Sequence, residues 1–349
     1  MIVLIGCHHG GVEPDDALAA IDDDLRHLIR DAGGPQWRQP MLATLTDLRF
    51  SDPAWIYERK LDGVRVLVVR DGDDVTLWSR NHKPMNAAYP ELVEAFAAQR
   101  SQGFVADGEI VAFEGDTTSF SRLQGRIHIT DPTRARRTGI AVYCYLFDLM
   151  VLGKADLTRL PLRARKQALR AAFTFDDPLR FSAHRNADGE AFYDEACRHG
   201  WEGLIAKRAA STYTAGRSRD WLKLKCGQGQ EFVVGGFTEP RGMRIGFGAL
   251  LLGYYQDGKL RYAGKVGTGY DTATLRDLRA RLDKLEQADP PFTGRVHVAG
   301  ESGVHWTRPE LVAEVAFSEW TGDGRLRHPR FEGLRTDKAA TDVVREAPR

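Results

Sequence analysis

A chain of 349 residues exceeds one ordinary hydrophobic core and predicts two domains, and its 42% apolar and 28% charged content excludes fibrous, disordered and membrane classes. The net charge of +1 conceals an uneven distribution: residues 1 to 34 hold seven acids and two bases, whereas residues 120 to 170 hold eleven Lys/Arg and three Asp. The second segment, which includes Arg134-Ala135-Arg136-Arg137, suits a phosphate-backbone partner, although a solvated surface that binds nothing has the same composition.

The opening MIVLIGC lacks a basic flank, and its apolar run is too short for a signal or a span, so a cytoplasmic protein is expected. Cys7-His8-His9 lacks metal-ligand spacing and reads as a disordered tail. Residues 14 to 32 place Leu18, Ile21, Leu25, Leu28 and Ile29 at helical spacing behind an acidic first turn, with Gly33-Gly34 as the stop. This amphipathic helix is expected to pack on the domain that follows, with partner recruitment or an acidic lid as alternatives. WIYERK, VRVLVVR and DVTLWSR read as strands, the last two joined by the hairpin cue Asp71-Gly72-Asp73. A helix is predicted near 90–99, strands at FVADGEIVAF and IAVYCYLFDLM, helices near 161–172 and 189–199, and a short strand at GLIAKR.

After WLKLKC the pattern changes. Gly227 to Gln230 reads as a linker, and beyond it EFVVGGF, ALLLGYYQDGKLRYAGKV, one helix near 273–285 and LVAEVAFSEW describe a mostly β domain that fits a five-stranded barrel of OB type. The predicted class is α+β, divided into an acidic extension (1–34), a larger mixed domain (35–228) and the small barrel (229–349). Cys7, Cys144, Cys197 and Cys226 are far apart with no C-x-x-C pair, so neither a zinc site nor a disulfide framework is expected, and all four read as reduced thiols.

Lys60, between Glu58 and Asp62, would alone be a surface residue making ion pairs. It is followed, however, by Ser79-Arg80-Asn81, Asp107-Gly108-Glu109, Phe147-Asp148, Glu202-Gly203 through Lys207, Trp221 to Lys225, and Arg335-Thr336-Asp337-Lys338. Each sets charge into a strand-like apolar frame, which costs burial energy unless the frames line one cleft. Glu109 and Glu202 suit a hard Mg²⁺ or Mn²⁺ ion, and Arg65, Arg80, Lys223, Lys225 and Lys338 suit phosphates. Together they describe a nucleoside triphosphate site without a P-loop. Phe147 could equally be core, and Asp148 structural.

The ordered set, K-x-D-G-x-R first and R-x-D-K last, resembles the covalent nucleotidyltransferases, and within them the ATP-dependent DNA ligases of the bacterial end-joining type. QPMLATLTDLRFSDPAWIYERKLDGVR and RLRHPRFEGLRTDK carry the resemblance, which spans roughly 38 to 342. It implies an adenylation domain followed by an OB domain, and Lys60 as the nucleophile that takes AMP from ATP, passes it to a 5′-phosphate and leaves a 3′-hydroxyl to seal the break. By the same resemblance Glu58 would accept from the adenine amino group and Phe147 would stack on the base. Arg65, Arg80 and Arg217 would contact ribose and phosphate, with Asp62 also beside the nucleotide. Glu109 and Glu202 would hold the metal, Lys223 and Lys225 would neutralise the α-phosphate, and Arg335 and Lys338, with Asp337, would orient pyrophosphate. The implied partners are nicked or broken double-stranded DNA and a bacterial Ku-type end-binding protein; a monomer is expected. An RNA ligase, a capping guanylyltransferase and a catalytically silent OB adaptor are the alternatives, while an NAD-dependent ligase would need a further cofactor-binding region and a zinc module.

Overall fold

A computed structural model describes residues 14–240, 242–294, 296, 298 and 303–346. Two sheets face each other in the N-terminal part. In the first, the neighbouring strands run in the order Ala155–Asp156, Tyr143–Leu152, Gly103–Val111, Val64–Asp71 and Asp74–Ser79. In the second the order is His184–Asn186, Trp55–Arg59, Gly203–Arg208, Gly216–Lys225 and Met41–Leu45, the last pair parallel. Strand alternation divides the first sheet between two cores. Val64, Val66, Val68 and Ala106 bury against Leu92, Phe96, Ala168 and Leu169 of the helices Pro90–Ala97 and Leu162–Ala172. The intervening Leu67 and Val105, with Val151, bury against Met41 and Trp221 from the second sheet and Tyr213 from the loop before its strand Gly216–Lys225. Arg65 and Glu109, paired in register, share that inter-sheet face.

The predicted strands and the helices near 90, 161 and 189 are present, but 14–32 is not one helix. It breaks into Pro14–Ala19, a 3-10 segment Asp23–Leu28 and a two-residue strand Arg30–Asp31. The triple acid Asp22-Asp23-Asp24 lies at the break, where aspartate favours turn and cap conformations over helix interior. Its apolar residues nevertheless pack on the domain: Ala17 and Ile21 are buried, and Leu18, Leu25, Leu28 and Ile29 lie against the same core. Cys7-His8-His9 falls outside the described residues. No helix among the described residues is long and apolar enough to cross a membrane.

Part of the basic segment is turned away from the surface. Arg126 is buried on Ala88 O and Glu91, Arg165 on Asp148, and Lys166 on Glu58, while Arg136 pairs with Glu94 on the surface. Composition counted these charges together; the helices Phe120–Ile127 and Leu162–Ala172 turn three of them inward.

The C-terminal part is a barrel centred on the long strand Gln228–Thr238, which pairs with Leu250–Gln256, Val304–Thr307 and Val312–Phe317; the latter pairs with Arg330–Arg335. Phe331 N–H donates to Thr268 O at 3.0 Å, joining that last strand to the end of Lys259–Val266. The predicted linker is largely strand: only Cys226 and Gly227 separate the second sheet from the barrel. The barrel rests on the helix Phe120–Ile127, where Gln124 Nε2 donates to Leu334 O at 2.7 Å.

The cysteine expectation is corrected. Cys197 and Cys226 form a disulfide that ties the end of the helix Gly189–Arg198 to the residue following Lys225, with Cα atoms 5.2 Å apart across 29 residues of sequence. Nothing local signals a pairing that only the packing of helix on sheet creates. Cys144 is buried and free. Closing a loop of that size stabilises by roughly 3 to 4 kcal/mol. Reduction with dithiothreitol is therefore expected to lower the unfolding free energy by that amount, read as a fall in the urea midpoint at known slope, and Cys197→Ser to make the midpoint indifferent to reductant.

Candidate active site

The site is built where the two sheets and the barrel meet. Lys60 follows the strand Trp55–Arg59, and its N–H donates to Gly203 O at 2.8 Å. The strands approach so closely here that a Cβ on Gly203, which has φ +140°, would lie 1.9 Å from Leu224 O, and one on Gly63 2.2 Å from Ile110 O. That is the steric reason for glycine beside Glu202 and after Asp62. Glu202, held at the start of the strand Gly203–Arg208, forms an ion pair with Lys60 and lies 3.9 Å from Lys225.

One cavity is lined by every residue to which the resemblance gave a role, Glu58 and Lys60 as well as Arg335 and Lys338, while Ser79, Asn81, Asp107 and Asp148 of the same charged frames do not line it. Their immediate partners are more varied than sequence suggests. Glu58 is buried, its Oε1 accepting from Lys166 at 2.6 Å and its Oε2 from Lys207 at 2.9 Å and Ser182 at 3.0 Å. Although burial pushes the carboxyl upward, the two ammonium groups hold it below its ordinary value. Asp62 fastens the loop after Lys60 to the helix Phe120–Ile127 by accepting from Phe120 N–H at 2.9 Å. Arg65 makes a two-bond fork with Asp107, at 2.6 and 2.7 Å, and Tyr213 donates to the same carboxylate at 2.6 Å. Phe147 is buried, with Lys207 and Arg65 4.2 and 4.7 Å from its ring centroid, so it is both core and cavity wall. Arg217 is on the rim, donating to Ala43 O.

Electrostatics separate the members. Burial pushes Glu109 up to about 8 against the pull of Arg65, Arg335 and Lys60. Glu202, which burial also pushes upward, is held below its ordinary value by Lys60 and Lys225. Burial, with Lys225 alongside, draws Lys223 down to about 8. Lys225 is kept above its usual value because Glu346 and Glu202 outweigh its burial. Arg80 is half-buried, and desolvation lowers it. The barrel supplies Arg335, forked on Asp337 at 2.9 and 2.8 Å, and Lys338, 3.0 Å from Glu231.

Two family models cover the chain: ATP dependent DNA ligase domain over residues 40–225, and ATP dependent DNA ligase C terminal region over 243–338. The chain belongs to the ATP-dependent DNA ligases. It is similar to the multifunctional non-homologous end joining protein LigD of Pseudomonas aeruginosa, at 38% identity over 90% of this chain and 37% of the relative. It is also similar to DNA ligase C of Mycobacterium tuberculosis, at 33% identity over 86% of this chain and 90% of the relative. Among solved structures, a mycobacterial DNA ligase D complexed with ATP and MES matches with a TM-score of 0.63 and 34% identity, covering 88% of this chain and 98% of that one. The chain spans less than half the length of the multifunctional relatives.

In and around the cavity are groups to which sequence reasoning assigned no role: Lys166 and Ser182 on Glu58, Tyr213 on Asp107, and Glu231, Glu314 and Glu346 on the barrel side, while Lys207 and Asp107, visible in the charged frames, prove to be partners of Glu58 and Arg65. One signal was available for Lys166. It sits four residues after Leu162 and three before Leu169, on the apolar stripe of its helix, where an unpaired lysine is rare. Glu346 carried none.

Proposed function

We propose that the chain is an ATP-dependent DNA ligase acting through a covalent lysyl-AMP on Lys60. The observation that supports this most directly is the convergence of Lys60, Glu202, Lys223 and Lys225 with Arg335 and Lys338 of the barrel in a single cavity. Lys60 Nζ, as the free amine, would attack the α-phosphorus of ATP, forming the P–N bond as the bond to pyrophosphate breaks, with its proton released to water. The AMP then moves to a 5′-phosphate, and attack by the 3′-hydroxyl seals the strand and releases AMP. Lys223 and Lys225 would offset negative charge at the α-phosphate. Glu58, flanked by Lys166 and Lys207, and Phe147 would bound the adenine, while Asp62, Arg65, Arg80 and Arg217 would fix the nucleotide loop, ribose and phosphates.

Glu109 fits a divalent cation: a hard oxygen donor whose burial disfavours its charge gains most from a nearby positive ion. Glu109 and Glu202 would hold Mg²⁺ or Mn²⁺, which would supply charge neutralisation at the phosphates. The DNA reading extends to repair of nicked or broken duplexes in end joining, with a Ku-type partner, as a cytoplasmic, nucleoid-associated monomer. The names of the relatives support the end-joining part of this reading.

Incubation with α-labelled ATP and a divalent ion, then denaturing electrophoresis and a chase with nicked DNA, tests this. Label that leaves the protein as sealed strand appears supports the ligase, whereas label from GTP alone would indicate a capping-type enzyme and no label an adaptor. A pH profile adds a second test. Lys223 loses its charge as pH rises through about 8, so kcat/KM for ATP is expected to fall about tenfold per pH unit above that value. Lys223→Arg, which keeps its charge, should flatten that limb; an unchanged limb would remove Lys223 from phosphate binding.

A further inference from the structure

The C-terminal family model ends at residue 338, yet the chain beyond it returns to the cavity. Tyr255 N–H donates to Val343 O at 2.7 Å, and Val344 bridges in parallel to Tyr255. Gln230 clasps the next turn of chain, its Oε1 accepting from Glu346 N–H at 3.1 Å and its amide donating to Val344 O at 3.3 Å. Val343 is fully buried, and the Arg345 guanidinium lies 4.3 Å from the Trp320 ring centroid. This segment is thus anchored on the barrel by backbone, side-chain and cation–π contacts together.

The anchoring delivers one carboxylate to the two lysines. Glu346 Oε1 accepts from Lys223 Nζ at 2.5 Å, and Oε2 lies 3.7 Å from Lys225. Only 13% of the Glu346 side chain is exposed, and its buried Oε2 has no hydrogen-bond partner. A half-satisfied buried carboxylate is poorly compensated for its lost hydration, so a better anion can replace it. A phosphate presents more acceptor oxygens and more charge to the same pair of lysines. With Glu346 in place the cavity is about 200 Å³, below the roughly 300 Å³ at which ligand pockets begin.

We infer that Glu346 is an autoinhibitory phosphate mimic: it competes with the phosphates of ATP for Lys223 and Lys225, and ATP must displace it for the lysyl-AMP to form. The inference rests on the ligase reading of the cavity. It assigns the C-terminal segment a gating role and sets the nucleotide concentration at which the enzyme charges itself. Because the segment rides on the barrel, displacing it also removes a contact that holds the barrel against the second sheet.

Initial rates of self-adenylation against ATP concentration, measured on the full chain, test the gate. Glu346→Gln is expected to lower KM for ATP about tenfold while the maximal rate changes less than twofold. Glu346→Asp should restore most of the wild-type KM, and Arg345→Ala, which loosens the anchor on Trp320, should give an intermediate decrease. Inhibition by pyrophosphate should tighten in parallel. A KM that is unchanged or raised in Glu346→Gln would overturn the gate while leaving the ligase reading intact, as would a large loss of maximal rate, which would make Glu346 an aligner of the lysines. Wild-type protein that takes no label from ATP would sink both.

Discussion

Lys60→Ala abolishes covalent labelling by α-labelled ATP and lowers sealing of a nick in the presence of ATP by about 10⁴-fold or more: this is the expected result of removing a nucleophile that no neighbour can replace. The other amines of the cavity are held elsewhere. Lys166 and Lys207 are committed to Glu58, Lys223 to Glu346, and Lys225 donates to Gly229 O at 2.6 Å. Lys60 follows directly from the strand end pinned to Gly203 and makes the close ion pair with Glu202, from which Lys225 stands 3.9 Å away. The same variant should still seal DNA that already carries AMP on its 5′-phosphate, because the lysyl-AMP proposed for Lys60 is already bypassed on that substrate. Residual labelling within tenfold of wild type would move the nucleophile elsewhere; loss of sealing on adenylated DNA would mean that the substitution had disturbed the site as a whole.

Asp148→Ala is expected to destabilise the N-terminal domain by about 3 to 5 kcal/mol, the cost of leaving a buried charge without its partner. Asp148 and Arg165 both have fully buried side chains and form a fork of 2.7 and 2.9 Å. Two more guanidinium hydrogens go to Leu160 O and Ser211 O, so Arg165 is anchored and cannot swing out to water. The shift should be read from the urea midpoint at unchanged slope. Replacing both partners, Asp148→Leu with Arg165→Met, should recover only part of the loss: it removes the unpaired charge but takes Arg165's donors from Leu160 O and Ser211 O and an acceptor from Leu149 N–H. A change under about 1 kcal/mol in the single variant would show that water reaches Arg165. Asp148 adjoins Phe147 in sequence but belongs to the packing behind the site, which separates a structural acid from its cavity-lining neighbour.

The strands were legible because alternation and hairpin cues are local. The helices near 90, 161 and 189 declared themselves through apolar periodicity of 3.6. The 14–32 segment misled because its spacing fits a helix, while Asp22-Asp23-Asp24 breaks it for reasons of capping chemistry that periodicity ignores. The short helices Phe120–Ile127 and Pro132–Arg137 were lost in a stretch read only for charge. Composition could count arginines at 126 and 165 but could not tell which would face inward.

The sequence alone determined the division into an α+β domain and a β-barrel, and the identity and order of the charged residues that interrupt its strands. Those features are local: a lysine after a strand or a glycine after an aspartate is visible wherever it falls. Only the tertiary structure decided what these groups do to one another. It put Glu58 between Lys166 and Lys207, Arg65 against Asp107, Cys197 on Cys226 and Glu346 on Lys223, pairs separated by 29 to 149 residues. Coulomb energies and hydrogen bonds depend on distance in space, and the chain sets that distance only after its sheets have packed.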